Sequence, residues 1–133
     1  ALVLVPFWGF YHGYDGFQWL WALAFLYLNG LSITGGYHRL WAHKAYEAKP
    51  ALKWFYALWG AGALQNSILI WASDHRRHHR FVDDNDRDPY SAGRGLWFSH
   101  IGWMLREYNT NEPDFSNARD LQRDPVEMFQ DRH

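Results

Sequence analysis

Charge is almost absent from the first 37 residues, where Asp15 is the one acidic side chain and no Lys or Arg occurs. Ala1–Tyr14 is too short to cross a bilayer, which takes about 20 apolar residues, and reads as the end of a spanning helix whose start is missing. Gly13-Tyr-Asp-Gly16 predicts a turn. Phe17–Tyr37 is long enough to cross and carries Trp19, Trp21 and Tyr37 towards its ends, with Arg39 just beyond. That pattern predicts a transmembrane helix with interfacial aromatic anchors. Length alone leaves a buried core helix open.

Ala51–Ser73 is apolar only in its first half, because Gly60, Gly62, Gln65, Asn66 and Ser67 break it up. A stretch that short suits a buried, re-entrant or interfacial helix. From Asp74 onward the chain is charged. Asp83–Pro89 predicts a polar loop. Gly95–Leu105, with Trp97 and Trp103, predicts a short interfacial helix. Asn109–Asn117 is turn-rich, and Ala118–Arg132 predicts a short helix interrupted at Pro125. The expected fold is all-α: an integral-membrane helical hairpin, its first helix truncated, under a cytosolic helical cap.

Composition narrows the chemistry. A chain of 133 residues allows one modest domain. Without cysteine there is no disulfide framework, no thiolate zinc site and no iron–sulfur cluster. A formal net charge of -1 gives no basic footprint, so no nucleic-acid partner is expected. Nine Trp and 20% aromatic residues suit a membrane–water boundary. The mean hydropathy of -0.45 averages an apolar front over a charged rear and hides the split. The chain opens inside an apolar run and closes without a final element, so it reads as a fragment.

Five histidines fall in two clusters, His38-Arg-Leu-Trp-Ala-His43 and His75-Arg-Arg-His78-His79. Residues three and four apart share a helix face, so His75, His78 and His79 are expected to project together. His38 and His43 are five apart and can converge only if the helix ends or distorts between them. Gly35-Gly36 makes such an irregularity plausible. The interleaved Arg76, Arg77 and Arg80 leave a solvated basic patch open. Imidazole suits Zn, Cu, Fe and Ni. Five imidazoles exceed one zinc site, so a two-metal centre with an O₂-activating metal such as iron fits better. The absence of an HExxH pattern removes the general base of a zinc peptidase. If Ala51–Ser73 crossed the membrane directly after Phe17–Tyr37, the clusters would face opposite sides, so a shared site requires it to stay on one side.

The text Gly35-Gly-Tyr-His-Arg-Leu-Trp-Ala-His-Lys-Ala-Tyr46, then Gln65-Asn66, then Trp71-Ala-Ser-Asp-His-Arg-Arg-His-His-Arg-Phe81 resembles the membrane-bound fatty acyl desaturases, in their Δ9, stearoyl-CoA desaturase-like branch. Asp88-Pro89, Arg94-Gly95, Phe98-Ser-His-Ile-Gly-Trp103 and Asp120-Leu through Phe129-Gln130 continue the likeness in order, so all of 1–133 is expected to be a partial desaturase domain. The resemblance implies a histidine-held centre of two iron ions and O₂ as co-substrate, placing a cis double bond in a saturated acyl chain. It implies His38, His43, His75, His78 and His79 as iron ligands. Gln65 and Trp71 resemble residues lining the kink of an acyl tunnel, and Asn66 and Asp74 resemble contacts to the substrate's head region. An electron donor such as cytochrome b5, or ferredoxin with its reductase, is implied. So is a bacterial inner membrane or endoplasmic reticulum with the boxes on the cytosolic side.

Three departures qualify it. The third histidine box and second transmembrane hairpin are missing, so the fragment is expected to be inactive alone. Ser73 stands where animal enzymes carry a basic residue that touches CoA, and Arg106-Glu107-Tyr108 replaces a basic pair used in the same way. The carrier is therefore open among CoA, lipid and carrier protein. The alternatives are a fatty acyl hydroxylase of the same metal class and a non-catalytic membrane metal-binding fragment.

Overall fold

The computed structural model describes residues 4–105 and 114–132, and every regular element among them is helical. Helix α1 (Leu4–His12) ends in a turn where Gly13 takes φ 72°, a backbone that glycine adopts without a Cβ penalty. Asp15 then starts α2 (Gly16–Leu31) with a capping box. Its carboxylate accepts the Gln18 N–H at 2.7 Å, and Gln18 Oε1 accepts the Asp15 N–H at 3.0 Å.

The chain does not leave the helix at Leu31. It widens into a π-helix over Ser32–Ala42, whose i→i+5 spacing is usually confined to single turns. Gly35 and Gly36 let this segment lie against Tyr56. A Cβ on Gly36 would meet Tyr56 Cβ at 2.7 Å. Pro50 opens α3 (Pro50–Ala61), where its missing N–H leaves nothing unpaired. Residues 62–67 separate α3 from α4 (Ile68–Arg80), and the Ser67 hydroxyl caps α4 by accepting the Ile70 N–H at 3.3 Å. A polar loop leads to a 3₁₀ turn at Ala92–Arg94, a π-turn at Phe98–Gly102 and the single turn α5 (Trp103–Leu105). Two 3₁₀ turns, Phe115–Ala118 and Leu121–Arg123, lead into α6 (Pro125–Arg132).

The apolar core lies where the π-helix, α3, α4 and the C-terminal cap, residues 114–132, meet. Tyr37, Trp41, Tyr56, Ile68, Leu121 and Val126 are among its buried members. Tyr37 sits under Gly60, where a Cβ would fall 2.3 Å from the ring, and its hydroxyl accepts the Gln130 amide at 2.5 Å. By contrast α1 and α2 bury no side chain; Leu20 is 64% and Tyr27 74% exposed.

Several sequence expectations change. Among the described residues no helix is long and apolar enough to cross a membrane. Phe17–Tyr37 is not one uniform helix, because its last third is the π-segment packed into the core. Tyr37 is fully buried and so is not an interfacial anchor. Ala51–Ser73 is two helices, divided at the polar break. Pro125 does not interrupt a helix; it begins α6, with Asp124 accepting the Val126 N–H at 2.9 Å. The 96–105 stretch is short and helical, with Leu96, Trp97, Met104 and Leu105 exposed. Arg106-Glu107-Tyr108 and the 109–113 part of the turn-rich segment lie outside the described residues.

Glu127 on α6 is 1% exposed, with Lys53 Nζ at 3.9 Å. Burial, reinforced by the charge of Asp124, pushes its carboxyl from 4.5 up to about 8, and Lys53 opposes the rise. A carboxyl raised in the folded state stabilises fully below its unfolded pKa, and that contribution is lost as pH rises through the folded value. Glu127→Gln is therefore expected to flatten a decline in melting temperature between pH 4.5 and about 8, relative to the unmodified chain. Gly60→Ala is expected to lower stability by about 1–3 kcal/mol through overpacking against Tyr37, read from thermal unfolding in detergent.

Candidate metal centre

The π-helix resolves the awkward spacing of the first cluster. In an α-helix His38 and His43 would point apart by well over a quarter turn. Here the His43 N–H donates to the His38 carbonyl at 2.9 Å, an i→i+5 bond that sets the two residues on one face. Their rings meet edge to face, with centroids 4.4 Å apart. From α4, one turn apart, His75 and His79 project onto the same point.

His43 Nε2 lies 3.1 Å from His38 Nε2 and 3.2 Å from His75 Nε2, and His75 Nε2 lies 3.1 Å from His79 Nε2. All four ligand atoms fall within 4.8 Å of one another, so the group could hold a metal ion. Ligand nitrogens at about 2.0–2.1 Å from one ion stand about 2.8–3.0 Å apart along an octahedral edge and about 3.3–3.4 Å along a tetrahedral one, and the three close pairs, at 3.1, 3.2 and 3.1 Å, fall between these. The electrostatics suit a cation too. Burial, then the neighbouring His38, His79, His43 and His78, drives His75 from 6.5 down to about 3. Burial, then His38 and His79, lowers His43. A ring that resists protonation keeps its lone pair available to a metal near neutral pH.

His78 does not join the four. On α4 it falls about 60° to one side of His75, and His79 falls about 40° to the other, so the two flank His75 and do not converge with it. His78 Nδ1 lies 2.9 Å from both oxygens of Asp88, which leaves Nε2 as the nitrogen able to coordinate. Asp88 is fully buried and also accepts the Asp83 and Tyr90 N–H groups, at 2.9 and 3.1 Å. The Tyr90 ring rests against His78 at 4.6 Å, and its hydroxyl lies 3.2 Å from His75 Nδ1. Asp88 and Tyr90 thus orient the His78 and His75 imidazoles from behind. Sequence reasoning took Asp88-Pro89 as a loop closure and passed over Tyr90. Only the family likeness of Asp88-Pro89 hinted at more.

The four residues expected at the substrate divide between two cavities. Asn66, Trp71 and Asp74 line a 220 Å³ cavity with His75, Tyr90, Ser99 and Trp103. Gln65 lines a separate, apolar 320 Å³ cavity between α3 and α6. The two are joined by one hydrogen bond, from Trp71 Nε1 to Gln65 Oε1 at 2.7 Å. The Trp71 indole stacks on His75 at 4.8 Å and 18°. Asp74 pairs with Arg77 at 3.0 Å, and burial nevertheless raises it to about 6. Ser73 faces elsewhere: it is buried, and its hydroxyl bonds the Asp114 carbonyl and Asn117 Oδ1, both at 2.8 Å.

A helical chain that gathers imidazoles from two segments defines a histidine-rich metal-site class, and comparison with known proteins narrows it. The fatty acid desaturase family model matches residues 17–132. The chain is 46% identical over 114 residues to a Schizosaccharomyces pombe protein named probable acyl-CoA desaturase, covering 86% of this chain and 24% of that protein. It is 48% identical over 109 residues to the acyl-CoA Delta12-desaturase of Acheta domesticus, covering 80% and 30%. It is 36% identical over 136 aligned residues to the stearoyl-CoA desaturase of Homo sapiens, covering 100% and 36%. The chain belongs to the fatty acid desaturase family and spans about a quarter to a third of the length of these relatives.

Asp88→Asn exchanges a charged acceptor for an amide behind His78. It is expected to destabilise the chain by about 1.5–3 kcal/mol, the usual worth of a buried hydrogen bond to a charged group. Thermal unfolding reads the loss, and ¹⁵N shifts of the His78 ring read a mixture of tautomers where the unmodified chain holds one.

Proposed function

We propose that the protein carrying this chain is an O₂-dependent fatty acyl desaturase that places a cis double bond, of Δ9 type, in a saturated acyl chain. His38, His43, His75, His78 and His79 are proposed as ligands of a di-iron centre. One observation carries the reading: two distant stretches of a desaturase-family chain bring four imidazole nitrogens within 4.8 Å of one another. His78, set apart with Asp88 behind it, supports a second ion beside the first.

Iron held there would supply the oxidising power, drawn from O₂ and donated electrons, that removes two hydrogens from adjacent methylenes. The protein's own part is position, because an alkyl chain has no polar handle near its middle. Trp71, stacked on His75 and tied by its N–H to Gln65, is proposed as the apolar wall that turns the chain past the centre. Asn66 and Asp74, in the cavity beside His75, are proposed as contacts for the head region, be it CoA, lipid or carrier protein. Electrons are proposed to come from cytochrome b5, or from ferredoxin with its reductase.

The exposed aromatic and aliphatic surface of α1 and α2 supports a seat in the bilayer as a helical hairpin. The histidines and the polar cap are proposed to face the cytosol, at a bacterial inner membrane or endoplasmic reticulum.

The test is the fatty-acid profile of a desaturase-deficient host expressing the gene that encodes this chain. A new monounsaturated acid with its double bond at carbon 9 is expected, and His75→Ala is expected to abolish it. A double bond at carbon 12 would overturn the positional assignment, and a product that gains oxygen would replace desaturation by hydroxylation. An unchanged profile with iron-loaded protein present would overturn the enzymatic reading.

A further inference from the structure

Arg76 follows His75 in α4, yet its side chain leaves the imidazoles and enters the seam between the π-helix and the C-terminal cap. A guanidinium has five N–H groups, and here each has a partner. Nε donates to the Ala42 carbonyl at 3.1 Å. Nη2 donates to the Trp41 carbonyl at 2.6 Å and to Asp120 Oδ2 at 3.0 Å. Nη1 donates to the Asn117 carbonyl at 2.6 Å and to Asp120 Oδ1 at 2.8 Å. Trp41 and Ala42 form the last turn of the π-helix, where carbonyls lack helical partners. The next residue is His43.

Asp120 secures the other flank of His43. Besides the two-pronged bond to Arg76, it meets Lys44 Nζ at 3.0 Å. Lys44 takes φ 53°, a left-handed backbone that a side chain adopts at some cost unless its surroundings hold it there. The exposed Lys44 contact is a weak tether by itself. The bidentate Arg76–Asp120 pair, with Arg76 only 14% exposed, is the strong member and the geometrically selective one. The residue before His43 and the residue after it are therefore both fastened to one ion pair.

We propose that Arg76, locked by Asp120, is a positioning residue for His43. It fixes where the π-helix stops and so the reach of the His43 ring into the four-histidine group, making the cap of residues 114–132 part of the metal site. This rests on the metal reading of the histidines given above. Lysine cannot stand in, because one ammonium has three donors, unforked, where five are used.

The test uses the full chain in detergent, with Co(II) as the probe and its visible absorption as the readout. Arg76→Lys is expected to weaken Co(II) binding about 10- to 100-fold, the usual effect of losing an outer-shell partner, and to shift the cobalt bands towards those of His43→Ala. In a His43→Ala background the same change is expected to alter affinity by less than about twofold, because residues acting through one group are not additive. Asp120→Asn is expected to act in the same direction and serves if Arg76→Lys does not fold. Lys53→Met, which breaks the pair between Lys53 of α3 and Asp124 of the cap, is expected to lower the melting temperature and leave the cobalt spectrum unchanged. The inference is overturned if Arg76→Lys and Asp120→Asn lower only the melting temperature, or if their effects on affinity add in full to that of His43→Ala. An unmodified chain that binds no Co(II) would overturn the metal reading and this inference together.

Discussion

The hydrogen bond from the His43 N–H to the His38 carbonyl is the constraint on which the centre depends. It closes an i→i+5 turn, and that turn puts two residues five apart on one face. An ideal α-helix would send one of the two rings away from α4. The widened helix is held open by its surroundings. Gly35 and Gly36 let Tyr56 approach, Tyr46 donates to the Gly35 carbonyl at 2.7 Å, and Arg76 takes the carbonyls of the final turn. Helix widening, core packing and ring placement are one arrangement seen at three scales.

The core and the site are accordingly inseparable. Tyr37 and Trp41 pack inward from the same π-helix that sends His38 and His43 outward, and Ile68 and Ala72 do the same for His75 and His79 on α4. Loosening the core moves the imidazoles. The front of the molecule behaves differently, since no side chain of α1 or α2 is fully buried and both helices contribute exposed aromatic surface. A division between a packed, polar-rimmed body and an unburied apolar arm suits a chain that meets a lipid surface.

Much of this was legible in the residues. The clusters, the break at Gly60–Ser67, the turn at Gly13–Gly16 and the need for a distortion near Gly35-Gly36 all follow from local spacing. What escaped is non-local. Nothing near Arg76 in sequence announces Asp120, 44 positions away, and an arginine between histidines reads as surface charge. Asp88 looked like a loop residue because its partner, His78, lies ten positions upstream across a turn. Tyr37 looked like an anchor because an aromatic at the end of an apolar run normally is one, and only the widened helix turns it inward. His78 was expected beside His75 because i and i+3 share a face. That rule places two residues on one side of a helix without making three converge.

The most direct test of the shared centre is X-ray absorption fine structure on the Fe(II)-loaded chain, compared with His43→Ala and His75→Ala. The expected result is imidazole scattering around iron that falls in both variants, one from each cluster. Imidazole scattering that drops in only one variant, or iron bound by oxygen alone, would mean that the two histidine stretches do not meet at a common ion.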